Sequence, residues 1–134
     1  MIRELTLTTR ENTEFIDISA RIEKEVAATD INEGLCFIYC PHTTAALTIN
    51  ENADPAVKKD IIEHLEELVP VIKKYSHSEG NSPAHIKASL LGSWLTVAVK
   101  NGRLLLGRWQ GVYFCEFDGP RIRKVYVKIL ADSV

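Results

Sequence analysis

At 134 residues, 46% of them hydrophobic and 25% charged, the chain has the size and composition of one soluble globular domain with room for a substantial core. Its 16 basic and 18 acidic residues leave a formal net charge of −2, which argues against DNA binding through the whole surface but not against a local basic pocket. No apolar run reaches the roughly 18 residues that a membrane span requires, and Met1 to Thr6 lack the basic start and apolar core of a signal peptide. The expected setting is the cytoplasm, with neither nucleic acid nor membrane as partner.

Residues 2–9 and 14–19 have strand composition and are separated by the polar turn Arg10-Glu11-Asn12-Thr13. A short helix is expected from about Ala20 to Ala28, with Ser19 as its cap and Ile22 and Val26 one turn apart on the apolar side. Gly34 releases the chain into the apolar run Leu35–Cys40, and Thr44–Asn50 reads as a further strand. Asp54 then caps a helix with Pro55 at its first position, Val57, Ile61, Leu65 and Leu68 on the apolar side, and Pro70 as its stop. His64 falls among Glu63, Glu66 and Glu67 on the solvent side. Asn81 or Ser82 caps the next helix, Pro83 sits just inside it, and Gly92 ends it.

From Ser93 the period becomes two, with Leu95, Val97 and Val99 on one face. Asn101-Gly102 is a two-residue hairpin signal whose partner strand is read as Arg103–Arg108. Strands over Val112–Phe117 and Ile122–Leu130 flank the turn Asp118-Gly119-Pro120. The pattern predicts a single α+β domain over residues 1–134: a mixed, largely antiparallel β-sandwich with about three flanking helices. Cys36, Cys40 and Cys115 are an odd number without zinc-ribbon spacing, so they are read as buried thiols.

Chemistry concentrates between His77 and His85, eight positions apart across Gly80-Asn81-Ser82. A helix entrance there suits an anion, and the imidazoles could bind metal, move a proton or donate to the same anion. His42 stands at a strand exit and is followed by the hydroxyls of Thr43 and Thr44. Asn50-Glu51-Asn52 precedes a helix; it reads either as a loop or as a general base, Glu51, flanked by amide donors. Trp109 is either core or, with Arg108 and Gln110, the border of a pocket; Arg121 is either solvated or a phosphate ligand. No serine-hydrolase elbow, Walker loop or dinucleotide fingerprint is present.

Four blocks together resemble the YjbQ-type family, also called the secondary thiamine-phosphate synthase family. They are His42-Thr43-Thr44-Ala45-Ala46-Leu47-Thr48-Ile49-Asn50-Glu51, the stretch from His77 through Gly80 to Gly92, Gly107-Arg108-Trp109-Gln110, and Glu116-Phe117-Asp118-Gly119-Pro120-Arg121. The resemblance covers essentially the whole chain in the same order. It implies an α+β sandwich assembled as a homotrimer, with pockets near subunit boundaries, and a weak thiamine-phosphate synthase activity. That reaction joins a pyrimidine diphosphate to a thiazole phosphate and expels pyrophosphate. The family pattern carries over to His42, Thr43, Thr44, Asn50, Glu51, His77, Asn81, His85, Lys87, Trp109 and Gln110, whereas Arg108 stands where a smaller hydroxyl residue is more usual.

The expected site therefore has His42, Glu51, His77 and His85 as its catalytic set. Thr43, Thr44, Asn50, Asn81, Ser82, Lys87 and Gln110 hold a small phosphorylated substrate. The three histidines are also the candidate ligands for zinc, and the synthase reaction would call for magnesium. A transferase on phosphorylated heterocycles competes with a zinc-dependent hydrolase or lyase, and with a non-catalytic small-molecule binding protein.

Overall fold

Turn residues and a change of period from two to 3.6 divide the described residues into eleven elements. They are seen in the computed structural model, which describes residues 1–72 and 74–133. The N-terminal half contains β1 (Ile2–Thr8), β2 (Glu14–Asp17), α1 (Ser19–Ala28), β3 (Gly34–Tyr39), β4 (Ala45–Glu51) and α2 (Pro55–Leu68). After it come α3 (Ser82–Leu91), β5 (Trp94–Lys100), β6 (Arg103–Leu104), β7 (Gln110–Glu116) and β8 (Ile122–Ala131). A five-stranded sheet runs β1-β8-β3-β5-β6 and a three-stranded sheet runs β2-β7-β4, with every pairing antiparallel. The fold is α+β. No helix among the described residues is long and apolar enough to cross a membrane.

The main core lies between the sheets. Leu5, Leu7, Cys36, Ile38, Val97, Val99, Val125 and Val127 from one sheet meet Leu47, Val112 and Phe114 from the other, and Ile22 and Val26 of α1 close one side. Strand β7 is buried on both faces, because its odd positions Tyr113 and Cys115 join Phe15, Phe117 and α3's Ala84 and Ala88 in a second cluster. That double burial explains its unbroken apolar run. Burying Phe114 alone contributes about 2–3 kcal/mol. All three cysteines are free thiols in these cores, and burial pushes Cys40 up to about 11 and Cys36 up to about 12.

The outer faces of the two sheets differ. α2 and α3 cover the three-stranded sheet, although α2 has no fully buried residue. The five-stranded sheet instead turns Leu35, Phe37, Tyr39, Trp94 and Leu130 outward, all exposed, with Phe37 and Trp94 stacked at 5.4 Å.

Several local expectations are corrected. Ser19 is the first residue of α1 and not its cap; its Oγ accepts from the Val112 N–H at 2.8 Å, while Asp17 Oδ1 accepts from the Ser19 N–H. β6 ends at Leu104, because Leu106 N–H turns back to the Leu104 carbonyl and the chain leaves the sheet. The Asn101-Gly102 hairpin is as read, with φ of 53° and 74°. Asp54 caps α2 as read, accepting from the Ala56 N–H at 2.9 Å.

Candidate functional site

β3 ends, and β4, β8 and α3 begin, near one end of the sandwich. His42 is set at this end by the loop after β3: the Cys40 N–H bonds the Ser93 carbonyl at 2.7 Å, and His42 Nε2 accepts from the Lys124 N–H at 2.9 Å. A backbone N–H can only donate, so Nε2 is the unprotonated nitrogen, and in the neutral ring the proton sits on Nδ1. Burial, and then the nearby Arg123 charge, hold the His42 imidazole below its ordinary value. His42 is therefore a neutral ring whose remaining nitrogen is a donor.

His42, His77 and His85 all line one cleft of about 460 Å³, together with Thr43, Thr44 and Asn81. The His77 and His85 rings meet edge to face, with centroids 5.3 Å apart. Glu79 Oε2 lies 3.9 Å from His77 Nε2. Glu79, Asp118, Arg121 and Arg123 complete the polar lining; of these the sequence offered only Arg121, as either solvated or a phosphate ligand. A signal for Arg123 was present, since it takes the inward phase of a strand whose next inward residues are Val125 and Val127.

A buried ion pair forms the floor. Arg123 bonds both carboxylate oxygens of Glu116, through Nε at 2.8 Å and through Nη2, and Nη2 also donates to Thr44 Oγ1 at 2.9 Å. Thr9 Oγ donates to Glu116 Oε1 at 2.8 Å and the Asp118 N–H donates to Oε2 at 3.0 Å. Burial pushes the Glu116 carboxyl up, but these donors, Arg123 foremost, more than offset it and leave it below the usual value. The network ties the ends of β1, β7 and β8 to the start of β4.

The helix entrance is not the anion cradle expected of it. Ser82, Pro83 and Ala84 are buried; Pro83 has no N–H, and those of Ala84 and His85 bond the Asn81 carbonyl. Asn81 does not cap α3 with its side chain. Its Nδ2 donates to Asp118 Oδ2 at 3.0 Å, and its buried Oδ1 has no partner among the described residues. Arg121 Nη2 holds the same Asp118 oxygen at 2.9 Å. The polar groups that this end turns to the cleft are therefore side chains and not helix N–H groups.

Four other expected site residues lie elsewhere in the chain. Lys87 sits two residues after His85, about 200° round the helix, and is buried with its ammonium 5.7 Å from the Phe117 ring. Burial lowers its pKa, partly countered by Glu66. Asn50, Glu51 and Gln110 are at the opposite end of the three-stranded sheet, where Glu51 pairs with Gln110. Asn50 Oδ1 accepts from the Glu51 N–H, and Gln110 Oε1 accepts from the Gly107 N–H at 2.7 Å. Trp109 is exposed, with the Arg108 guanidinium 4.7 Å over its ring. His64 is solvent-facing, beside Glu67.

A three-imidazole zinc set would require His42 to use Nδ1, the nitrogen that carries its proton while Nε2 holds Lys124. Among the described residues no group of three or more His, Cys, Asp and Glu side chains is arranged to hold a metal. The zinc reading narrows to His77 and His85.

The same architecture and sequence recur in known proteins. The model of the family described as UPF0047 protein YjbQ-like matches residues 3–132. A UPF0047 protein of Methanocaldococcus jannaschii is 48% identical over 133 residues, covering 99% of this chain and 96% of its own. The UPF0047 protein YugU of Bacillus subtilis is 50% identical over 131 residues, covering 97% and 99%. A crystal structure of a YjbQ/UPF0047 family protein from Clostridium acetobutylicum superposes with a TM-score of 0.94 at 52% identity, covering 96% of this chain and 99% of that one. A YbjQ-like protein from Sulfolobus solfataricus reaches the same TM-score at 30% identity, covering 98% and 97%. With full-length agreement in sequence and in fold, the chain belongs to the YjbQ-like UPF0047 family.

Proposed function

We propose that the histidine cleft binds a small phosphorylated substrate and that the protein is a transferase with weak thiamine-phosphate synthase activity on phosphorylated heterocycles. One observation carries the reading: His42, His77 and His85 line a single cleft with Thr43, Arg121 and Arg123. The Nδ1–H of His42 and the hydroxyl of Thr43 are donors suited to phosphate oxygens, and the His77–His85 pair is suited to moving a proton. Both arginines are paired, Arg121 with Asp118 and Arg123 with Glu116, so little uncompensated positive charge is left to stabilise departing pyrophosphate. That fits a slow catalyst. Magnesium would arrive on the diphosphate itself, because Asp118 is engaged and Glu79 is the other carboxylate on the cleft.

The test is an assay of purified protein with both thiamine precursors. Product should form above the no-enzyme control and be lost in His85→Ala; no product, with contaminating synthase excluded, sinks the reading. Saturable binding without turnover would favour a non-catalytic binding protein. The 5.3 Å pairing of His77 with His85 keeps one rival open, a zinc-dependent hydrolase or lyase, which stoichiometric zinc that restores turnover would favour. The exposed aromatic face of the five-stranded sheet supports a homotrimer, to be checked by light scattering at micromolar concentration.

A further inference from the structure

One bond of the buried ion pair ends on a hydroxyl that lines the cleft. Arg123 Nη2 donates to Thr44 Oγ1 at 2.9 Å. A guanidinium carries donors only, so Thr44 is the acceptor in this contact and its own hydroxyl proton points elsewhere. Thr44 is only 6% exposed, and among the described residues that proton meets no acceptor. A buried donor left unpaired is costly. Thr44 stands two residues after His42 on the same cleft, so the cleft is the side from which an acceptor can come.

We infer that the Thr44 hydroxyl donates to the anion in the cleft, and that Arg123 is a positioning residue acting on the anion through it, an inference that rests on the anion-binding reading above. Arg123 is held by both carboxylate oxygens of Glu116, which fixes the guanidinium beneath Thr44. By occupying the acceptor side of the hydroxyl, it turns the O–H toward the cleft and polarises it, making a stronger donor than a free threonine. Together with His42 Nδ1–H, the wall then suits ligand oxygens that carry no proton. Thr9 shows the contrast. Its Oγ donates to Glu116 Oε1 and accepts from the Arg121 N–H, each at 2.8 Å, so the floor consumes the whole hydroxyl, and Thr9 does not line the cleft.

The experiment titrates the full chain and its variants with inorganic phosphate. Thr44→Val, nearly the same shape without the hydroxyl, should bind about tenfold or more weakly, the loss of one hydrogen bond to a charged group. Thr44→Ser should recover that loss to within about threefold of the parent. Thr9→Val takes a hydroxyl from the same ion-pair network but none from the cleft. Its thermal midpoint should fall by a few degrees while its phosphate affinity stays within about twofold. Arg123→Lys should weaken phosphate about threefold or more in the parent and less than about twofold in Thr44→Val, since its effect passes through the missing hydroxyl. Parent-like binding by Thr44→Val, or no recovery in Thr44→Ser, overturns the donor and leaves the anion cleft standing. Equal weakening in Thr9→Val also overturns it, because the integrity of the floor then sets the affinity. Equal losses from Arg123→Lys in both backgrounds overturn the positioning role. If the parent does not bind phosphate, the anion reading falls and takes the inference with it.

Discussion

β4 has two polar ends, and they differ in what their side chains have left to offer. At the far end, Asn50, Asn52 and Gln110 bond their own surroundings: Asn52 Nδ2 reaches Asp17 Oδ2 at 2.9 Å, and Gln110 closes the turn at Gly107. At the near end, the polar side chains face a cleft above the buried Glu116–Arg123 pair, and apart from His42 Nε2, which accepts from the Lys124 N–H, the backbone takes up little of what the imidazoles offer. Clustering of polar residues in sequence does not separate a site from a well-bonded loop. What separates them is whether the local backbone consumes the donors and acceptors.

The largest expected effect is on the floor. Arg123→Met leaves Glu116 charged and unpaired in the interior, and urea unfolding should show a loss of about 3–5 kcal/mol. A loss below about 1 kcal/mol would mean that the pair does not hold the two sheets together. Next, His77→Ala or His85→Ala should weaken phosphate or substrate binding about tenfold or more while moving the thermal midpoint by only a few degrees. A large drop in midpoint would make these rings structural and erase the contrast between the ends.

The third effect is on acid stability. Both His42 and Glu116 have lowered values in the folded protein, so each contributes stability that is present above its ordinary value and lost as pH falls through its folded one. Stability should therefore begin to fall below pH 6.5, from His42, and fall again below pH 4.5, from Glu116. In His42→Gln the upper limb should vanish. The smallest effect is at the far end, where Glu51→Gln should leave turnover within about twofold, as for a surface substitution away from the site. A larger loss would show that Glu51 reaches a cleft in a neighbouring copy.

Much of the fold was legible because the signals were local. Asp54-Pro55 starts a helix by its own chemistry, Asn101-Gly102 can adopt two positive φ angles, and alternation through Leu95, Val97 and Val99 marks a buried face. The failures were those where a distant partner competed. Asn81 left its capping role for Asp118, and Ser19 bonded the Val112 N–H, in each case a residue far along the chain. Of the set expected together, Glu51 lies at the opposite end of β4, whereas His42, His77 and His85 line one cleft. The ion pair beneath them was missed, since pairing Glu116 with Arg123 takes the closure of two strands around a turn. Lys87 was misplaced by reading nearness in sequence as nearness in space.

Both tryptophans of the chain lie on the surface, Trp94 on β5 of the five-stranded sheet and Trp109 in the turn before β7, 57% and 53% exposed. The molecule therefore carries two optical probes that are blind to its core. Trp94 stacks on Phe37 in the bare sheet face, whereas Trp109 lies beneath a guanidinium at the far end of β4. If copies associate through the sheet face, emission from a Trp109→Phe variant should shift to the blue as protein concentration rises. That colour change would read assembly directly, without any change in the fold.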